Sequence, residues 1–238
     1  MGRVMLWCPR QSRGMTVCCL LLAMACGCAK NYTPAWQQNL TEMFSKKQKD
    51  KNDGIETPSE YVAKLREWSE EAAELSPADQ EKRTLELAER LGKEEDPLVR
   101  AQILRTLAHY PTASAAAMLT AGMKDRDEDV RIACCEAWGV RKGPDAVKNL
   151  TELFSSDTDV DVRLAAARAL GETGDASVVP VLGTALENND PAIQYRAVVS
   201  LRKVTGKEYG DDVNRWRDYV KGNNPPEDSI AARIKRYF

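Results

Sequence analysis

Histidine is almost missing from this chain: His109 is the only one among 238 residues. That excludes a His–Glu pair, a multi-histidine metal site and an H-E-x-x-H helix. No glycine-rich phosphate loop occurs. No block of Lys and Arg stands in the body of the chain, and without one there is no counterion release to drive nucleic-acid binding. Sustained two-residue alternation is also lacking, so no strand is expected. Cysteine is scarce where a disulfide framework would need it: of seven, Cys8, Cys18, Cys19, Cys26 and Cys28 lie at or before position 28, leaving only Cys134 and Cys135. Adjacent cysteines point their side chains apart and seldom bond to each other. Asp127, Asp129, Asp157, Asp159 and Asp161 gather at expected helix starts, but no central glycine and terminal glutamate complete a calcium loop. The reading assigns no cofactor and no metal.

What is present begins with an unusual N-terminus. Arg3, Arg10 and Arg13 are the only charged residues before position 26, and an apolar run from Val17 to Ala25 follows them. A positive start, a short apolar run and a small-residue boundary describe an export signal over residues 1–25. The run is shorter than the roughly 20 apolar residues a bilayer span takes. Its end, Ala23-Met24-Ala25 before Cys26, resembles a bacterial lipobox, with Gly27-Cys28 as a second register. The resemblance implies cleavage before Cys26 and lipidation of its thiol and amino group. Several acyl chains then anchor the protein durably, since each buried CH₂ contributes about 0.8 kcal/mol. The expected location is that of an exported lipoprotein, on the periplasmic or outer-membrane side. Removing the signal, with its three arginines, leaves 31 basic residues against 36 acidic.

Residues 26–57 read as a polar tether, carrying Lys46, Lys47, Lys49 and Lys51 and the turn signal Asn52-Asp53-Gly54. Trp36, Leu40 and Phe44 stand at helical spacing within it, so the tether is either a disordered stalk or carries one amphipathic turn. From Ser59 onward the pattern is helical. Tyr61, Leu65, Trp68, Ala72 and Leu75 form one apolar stripe. Ser76-Pro77 supplies a cap and a first-turn proline for a helix whose apolar positions are Leu85, Ala88 and Leu91.

Self-comparison decides the architecture. Asp96, Asp127, Asp159 and Asp190 recur at intervals of 31, 32 and 31 residues, each opening a twelve-residue segment that aligns without gaps. A carboxylate there caps a helix start, accepting from free N–H groups at the positive end of the dipole. An arginine column follows, Arg100, Arg131 and Arg163, with Gln194 in the fourth copy. Around it Val99, Val130, Val162 and Ile193, then Ile103, Cys134, Ala166 and Ala197, then Leu107, Trp138, Leu170 and Leu201 form a buried stripe. Ala113–Lys124, Pro144–Phe154 and Asp175–Leu186 supply the other helix of each pair. Gly143-Pro144, Gly174-Asp175 and Pro111 mark turns. The Asp-x-x-Val-Arg-x-x-Ala-x-x-x-Leu core, fullest in the third copy, resembles the HEAT-like repeat named from phycobilin lyases. That resemblance implies an all-α, right-handed α-solenoid of about four helix pairs over residues 58–205, with helical caps at both ends. It further implies an Asp–Arg ladder between repeats, weakened at Gln194. In residues 206–238, Trp216 and Tyr219 are expected to close the last repeat, and Ile230, Ile234, Tyr237 and Phe238 to form a short amphipathic helix.

Chemistry is hard to assemble from these residues. Cys134 and Cys135 occupy packing columns, and His109 is expected at a helix end facing solvent. In the family the second helix of each pair lines the concave side. The columns two, five and nine past the arginine lie away from the core stripe. They include Arg105, Glu136, Arg168, Glu172, Arg196 and Lys203, the expected partner-binding surface. The reading is a non-enzymatic, membrane-tethered interaction or scaffolding module for a protein or peptide partner. The alternatives are a lyase-type enzyme sharing the repeat, whose cytosolic chromophore an exported protein would not meet, and a purely structural spacer.

Overall fold

The computed structural model describes residues 56–229. The expected export signal, Cys26, the expected tether but for Glu56 and Thr57, and the expected terminal helix after Ser229 lie outside them. The described residues contain ten α-helices and no strand: α1 Pro58–Glu71, α2 Pro77–Lys93, α3 Pro97–Leu107, α4 Ala113–Gly122, α5 Glu128–Arg141, α6 Gly143–Ser156, α7 Val160–Thr173, α8 Val179–Leu186, α9 Pro191–Thr205 and α10 Val213–Val220. Single 3₁₀ turns stand at Ala72–Glu74 and Ala176–Val178. None of the helices is long and apolar enough to cross a membrane.

Local sequence sets these boundaries. Asp96, Asp127, Asp159 and Asp190 each accept from a first-turn N–H, on Leu98, Asp129, Asp161 and Ala192 respectively. Thr57 and Glu60 form a reciprocal capping box on α1. Ser76 caps α2 and Pro77 occupies its first turn, where no donor is lost. Gly174 and Gly206 end α7 and α9 with φ of 70° and 67°, a left-handed conformation that glycine adopts without strain.

The helices stack as two layers. α2/α3, α4/α5, α6/α7 and α8/α9 form four antiparallel pairs, with α1 preceding them and α10 following. α1, α3, α5, α7 and α9 pack each on the next, whereas among the outer helices α2, α4, α6 and α8 only α2 and α4 pack appreciably on each other. Small residues permit this close approach: a Cβ at Gly139 would stand 3.2 Å from Ala169 Cβ, and one at Gly171 2.8 Å from Ser200 Cβ. Hydroxyls in the same seam donate across it, Thr106 to Leu65 O at 3.0 Å and Ser200 to Ala167 O at 2.8 Å. The more tightly spaced layer is the inside of a solenoid's curve, so these five helices present the concave face. Every member of the three stripe columns is buried between the layers.

Two details differ from the sequence reading. In α2 the core side is Thr84 and Leu87, and Leu85 is 55% exposed. The Thr84 hydroxyl donates to Gln80 O and meets the Thr112 hydroxyl at 3.1 Å, so a polar residue occupies the interface fully satisfied. The third outer segment begins as a 3₁₀ turn capped by Asp175 before α8 follows. At the C-terminal end Trp216 is buried, donating to Gly210 O and meeting Tyr209 edge to face at 5.0 Å. Tyr219 packs half-buried beside it. α10 approaches α8 at Gly183, where an added Cβ would fall 2.5 Å from a Val220 methyl.

Candidate functional site: the concave face and its two cavities

The Asp–Arg ladder runs between repeats on the layers' margin, in a register the caps alone do not give. Arg100 binds Asp125 with both Nε and Nη2, at 2.9 and 2.8 Å, and Arg131 binds Asp157 likewise at 2.8 and 3.1 Å. Each acceptor also takes the N–H of the cap two residues on, Asp127 or Asp159. Glu94 and Asn188 hold the equivalent place before Asp96 and Asp190. The ladder therefore stops one repeat earlier than Gln194 suggests. Asn188 brings no charge to Arg163, which donates to Phe154 O instead. Gln194 keeps part of the pattern by donating to Asn188 O at 2.6 Å.

The concave columns carry a second ladder. Glu136 on α5 receives Arg105 of α3 at 2.7 Å and Arg168 of α7 at 3.0 Å, bridging three inner helices. Glu172 of α7 pairs with Lys203 of α9. Arg105 and Glu136 are half-exposed, Arg168, Glu172 and Lys203 exposed, and Arg196 half-buried outside the ladder. Thus five of the six expected surface residues are brought together by their own pairing. The column two past the arginine departs from expectation: Ala133 and Ala165 are buried.

Two cavities open beside these residues. One, of about 510 Å³, lies between α5 and α7 and is lined by Glu136, Gly139, Val140, Lys142, Arg168, Ala169 and Glu172. The other, of about 530 Å³, is bounded by the C-terminal ends of α3 and α5, the start of α6, and Ala73 and Gln80. Val140 and Lys142 belong to both walls, and Val140 is a 53% exposed apolar side chain at their junction. Lys142 has φ of 57°, the one non-glycine residue among those described with positive φ, a conformation that costs of order 1–3 kcal/mol. His109 is exposed on the wall of the second cavity. Sequence reasoning reached His109 as a solvent-facing position, and Val140 through its place nine residues past Arg131. It missed the cavity, which depends on how four helix ends meet.

Reactive groups are not gathered here. Cys134 and Cys135 are buried, burial pushing the Cys135 thiol up to about 12 and Cys134 further, so neither forms a thiolate near neutral pH. Among the described residues no three His, Cys, Asp or Glu side chains are placed to hold a metal ion.

Paired helices stacked through a tight inner layer, with a charged concave face and adjoining cavities, define an α-solenoid of the interaction or scaffold class. The model of HEAT repeats matches residues 84–170 and again 150–213, more than half of the chain, and the chain belongs to the HEAT-repeat family. No curated protein matches it.

Proposed function

We propose that this chain is an exported bacterial lipoprotein, anchored through Cys26, whose HEAT solenoid binds a protein partner on its concave face and so works as a tethered interaction or scaffolding module in the cell envelope. The observation carrying the binding-face reading is the juxtaposition at Val140. There an exposed apolar side chain joins two cavities, beside the ladder of Arg105, Glu136 and Arg168. An apolar centre with a charged rim is the anatomy of a docking surface. The ladder charges satisfy one another, so they set register and exclude mismatched partners more than they add affinity.

The pairing dictates the test. Reversing Arg105 and Arg168 alone leaves three carboxylates together and confounds folding with binding. The triple exchange R105E/E136R/R168E keeps both bridges and inverts the surface. Its helicity and thermal midpoint are expected to match wild type, while crosslinking in native membranes loses the proteins that wild type captures. Capture of the same set by the triple variant would refute the binding-face reading.

A further inference from the structure

α9, the last inner helix among the described residues, leaves partly bare a side that the earlier inner helices cover with their successors. Contacts in the earlier copies identify that side. Counting from the capping aspartate, the eighth and twelfth positions point toward the next repeat: Cys135 donates to Val162 O, and Gly139 and Gly171 abut Ala169 and Ser200. The fifth position lies on the same side, three and seven residues earlier along the helix. It holds Ala101, Ile132, Leu164 and Tyr195. Ala101 is buried and Ile132 and Leu164 pack partly buried against the core, but Tyr195 is 56% exposed. One turn on, Val199 stands where the other copies put Arg105, Glu136 and Arg168. The fourth copy thus gives up a charged column and sets an aromatic and an aliphatic side chain together at i and i+4.

The C-terminal half of this side is already closed. Val198 is buried, and Arg202 at the twelfth position donates to Gly210 O and Asp211 in the loop before α10. After α10 the chain turns back onto that loop. Arg215 donates to Pro226 O and Asp228, Lys207 pairs with Glu227, and the Asp228 N–H donates to Glu208 O at 2.8 Å. The Glu208 carboxylate in turn lies 3.7 Å from Arg202 Nε. Ser229 is therefore delivered to the edge of the closed half, about two helical turns from Tyr195. Seven residues separate Arg202 from Tyr195, about 10 Å along α9, and the next nine residues of the chain span about 13 Å as a helix.

Those nine residues have the composition the open half needs. Ile230, Ile234, Tyr237 and Phe238 fall at i, i+4, i+7 and i+8, one apolar stripe, with Arg233, Lys235 and Arg236 off it. So short a helix is unstable in water unless its stripe is packed. The exposed carboxylates of Asp211 and Asp212 stand on the loop at the same edge, complementary to the three cations. A second copy stacked head to tail is a poorer occupant: α1, at the other end, exposes Arg66, Glu67 and Glu70, and burying them on Tyr195 would cost their desolvation.

We infer that residues 230–238 dock as a helix across Tyr195 and Val199, in the place of the inner helix that α9 lacks, with their three cations toward solvent and the Asp211–Asp212 edge. Because Val199 belongs to the concave columns, the docked segment closes the C-terminal end of the concave face.

The test places the photocrosslinking residue p-benzoylphenylalanine at Tyr195 of the full-length protein in native membranes. Irradiation is expected to give an adduct within one chain whose linked peptide, identified by mass spectrometry, contains residues 230–238. Ile234→Asp should lower that adduct by roughly tenfold or more, because an unpaired carboxylate is excluded from the apolar contact. Hydrogen exchange of the purified full-length protein gives a second readout. The amides of residues 234–238 should exchange roughly tenfold or more slowly than in a blocked peptide of residues 229–238. Tyr195→Asp should abolish that protection and leave exchange in α3, α5 and α7 unaltered. A crosslinked dimer, an adduct to lipid or to another protein, or no adduct would each overturn the inference. So would an intrachain adduct that Ile234→Asp leaves unchanged, or amides that exchange at the free peptide's rate.

Discussion

The bidentate bond between Arg131 and Asp157 offers a sharp test, because nature has already made the complementary change one repeat on. Asp157→Asn keeps an oxygen to accept the Asp159 N–H and removes only the charge. The Arg131 side chain is 14% and the Asp157 side chain 6% exposed, and the pair is joined at 2.8 and 3.1 Å. The bond to Asp157 holds the guanidinium proton more tightly than usual. Breaking a buried pair by removing one partner costs about 3–5 kcal/mol. Arg131 retains Asp125 O at 3.0 Å and sits near the surface, so roughly 2–3 kcal/mol is expected. For a domain of this size that lowers Tm by roughly 5–10 °C. The converse, Asn188→Asp, gives Arg163 the carboxylate it lacks while preserving the Asp190 N–H acceptor. The gain should stay below about 1 kcal/mol, since Arg163 must give up Phe154 O. Thermal and urea unfolding followed by circular dichroism would measure both, with R131Q completing a double-mutant cycle. A coupling energy near zero between R131Q and D157N, or a D157N midpoint equal to wild type, would show that the ladder is solvated and refute the reasoning.

Acid should act on the neighbouring link. Burial pushes the Asp125 carboxyl up, but the Arg100 guanidinium and the Asp127 N–H outweigh it, leaving it below its ordinary 3.8. A depressed carboxyl stabilises fully above the unfolded value and loses that contribution as pH falls through the folded one. The stability gap between wild type and D125N should therefore be constant above pH 3.8 and close below it; a gap that widens on acidification contradicts the assignment. Gly171→Ala should cost about 1–3 kcal/mol in urea unfolding, because the new methyl meets Ser200 Cα at 3.0 Å as well as its side chain. An unchanged midpoint would show that α7 and α9 separate freely. Cys26→Ser should release the protein from membranes or leave an unprocessed precursor; membrane attachment retained with both Cys26 and Cys28 replaced would sink the lipoprotein reading.

How far the sequence discloses this molecule depends on whether a feature is repeated or made once. The caps Asp96, Asp127, Asp159 and Asp190 and the stripe around the arginines recur at one period, so each copy corroborates the others and the helix pairs follow. The ladder acceptors Asp125 and Asp157 stand in a column of the same period with Glu94 and Asn188. An alignment begun two residues earlier would have exposed them, and Asn188 would have placed the break. That Asp157 serves Arg131 rather than its own copy's Arg163 is a property of stacking, invisible in one dimension. The error at Leu85 has a different source: Leu85, Leu87 and Leu91 lie around α2 on more than one face. The core side was decided by the hydroxyl contact of Thr84 with Thr112, which no hydrophobic periodicity records.

The α6 cavity belongs to the features made once, and that is a physical reason to look there for specificity. The repeats supply the concave surface and the inner-helix columns four times over, so a partner reading only those columns would find similar ground in each register. Trp138 stands where the other copies have Leu107, Leu170 and Leu201, and Lys142 takes a conformation that no other non-glycine residue among those described adopts. α6 begins without the side-chain cap that the repeated helices share. Each departure costs stability locally: an indole donor without an acceptor, a strained φ, an uncapped helix start. Together they break the repeat's symmetry at one address, beside Val140. A uniform solenoid fixes a partner's direction and leaves its register free. A single irregular cavity on its rim fixes the register too.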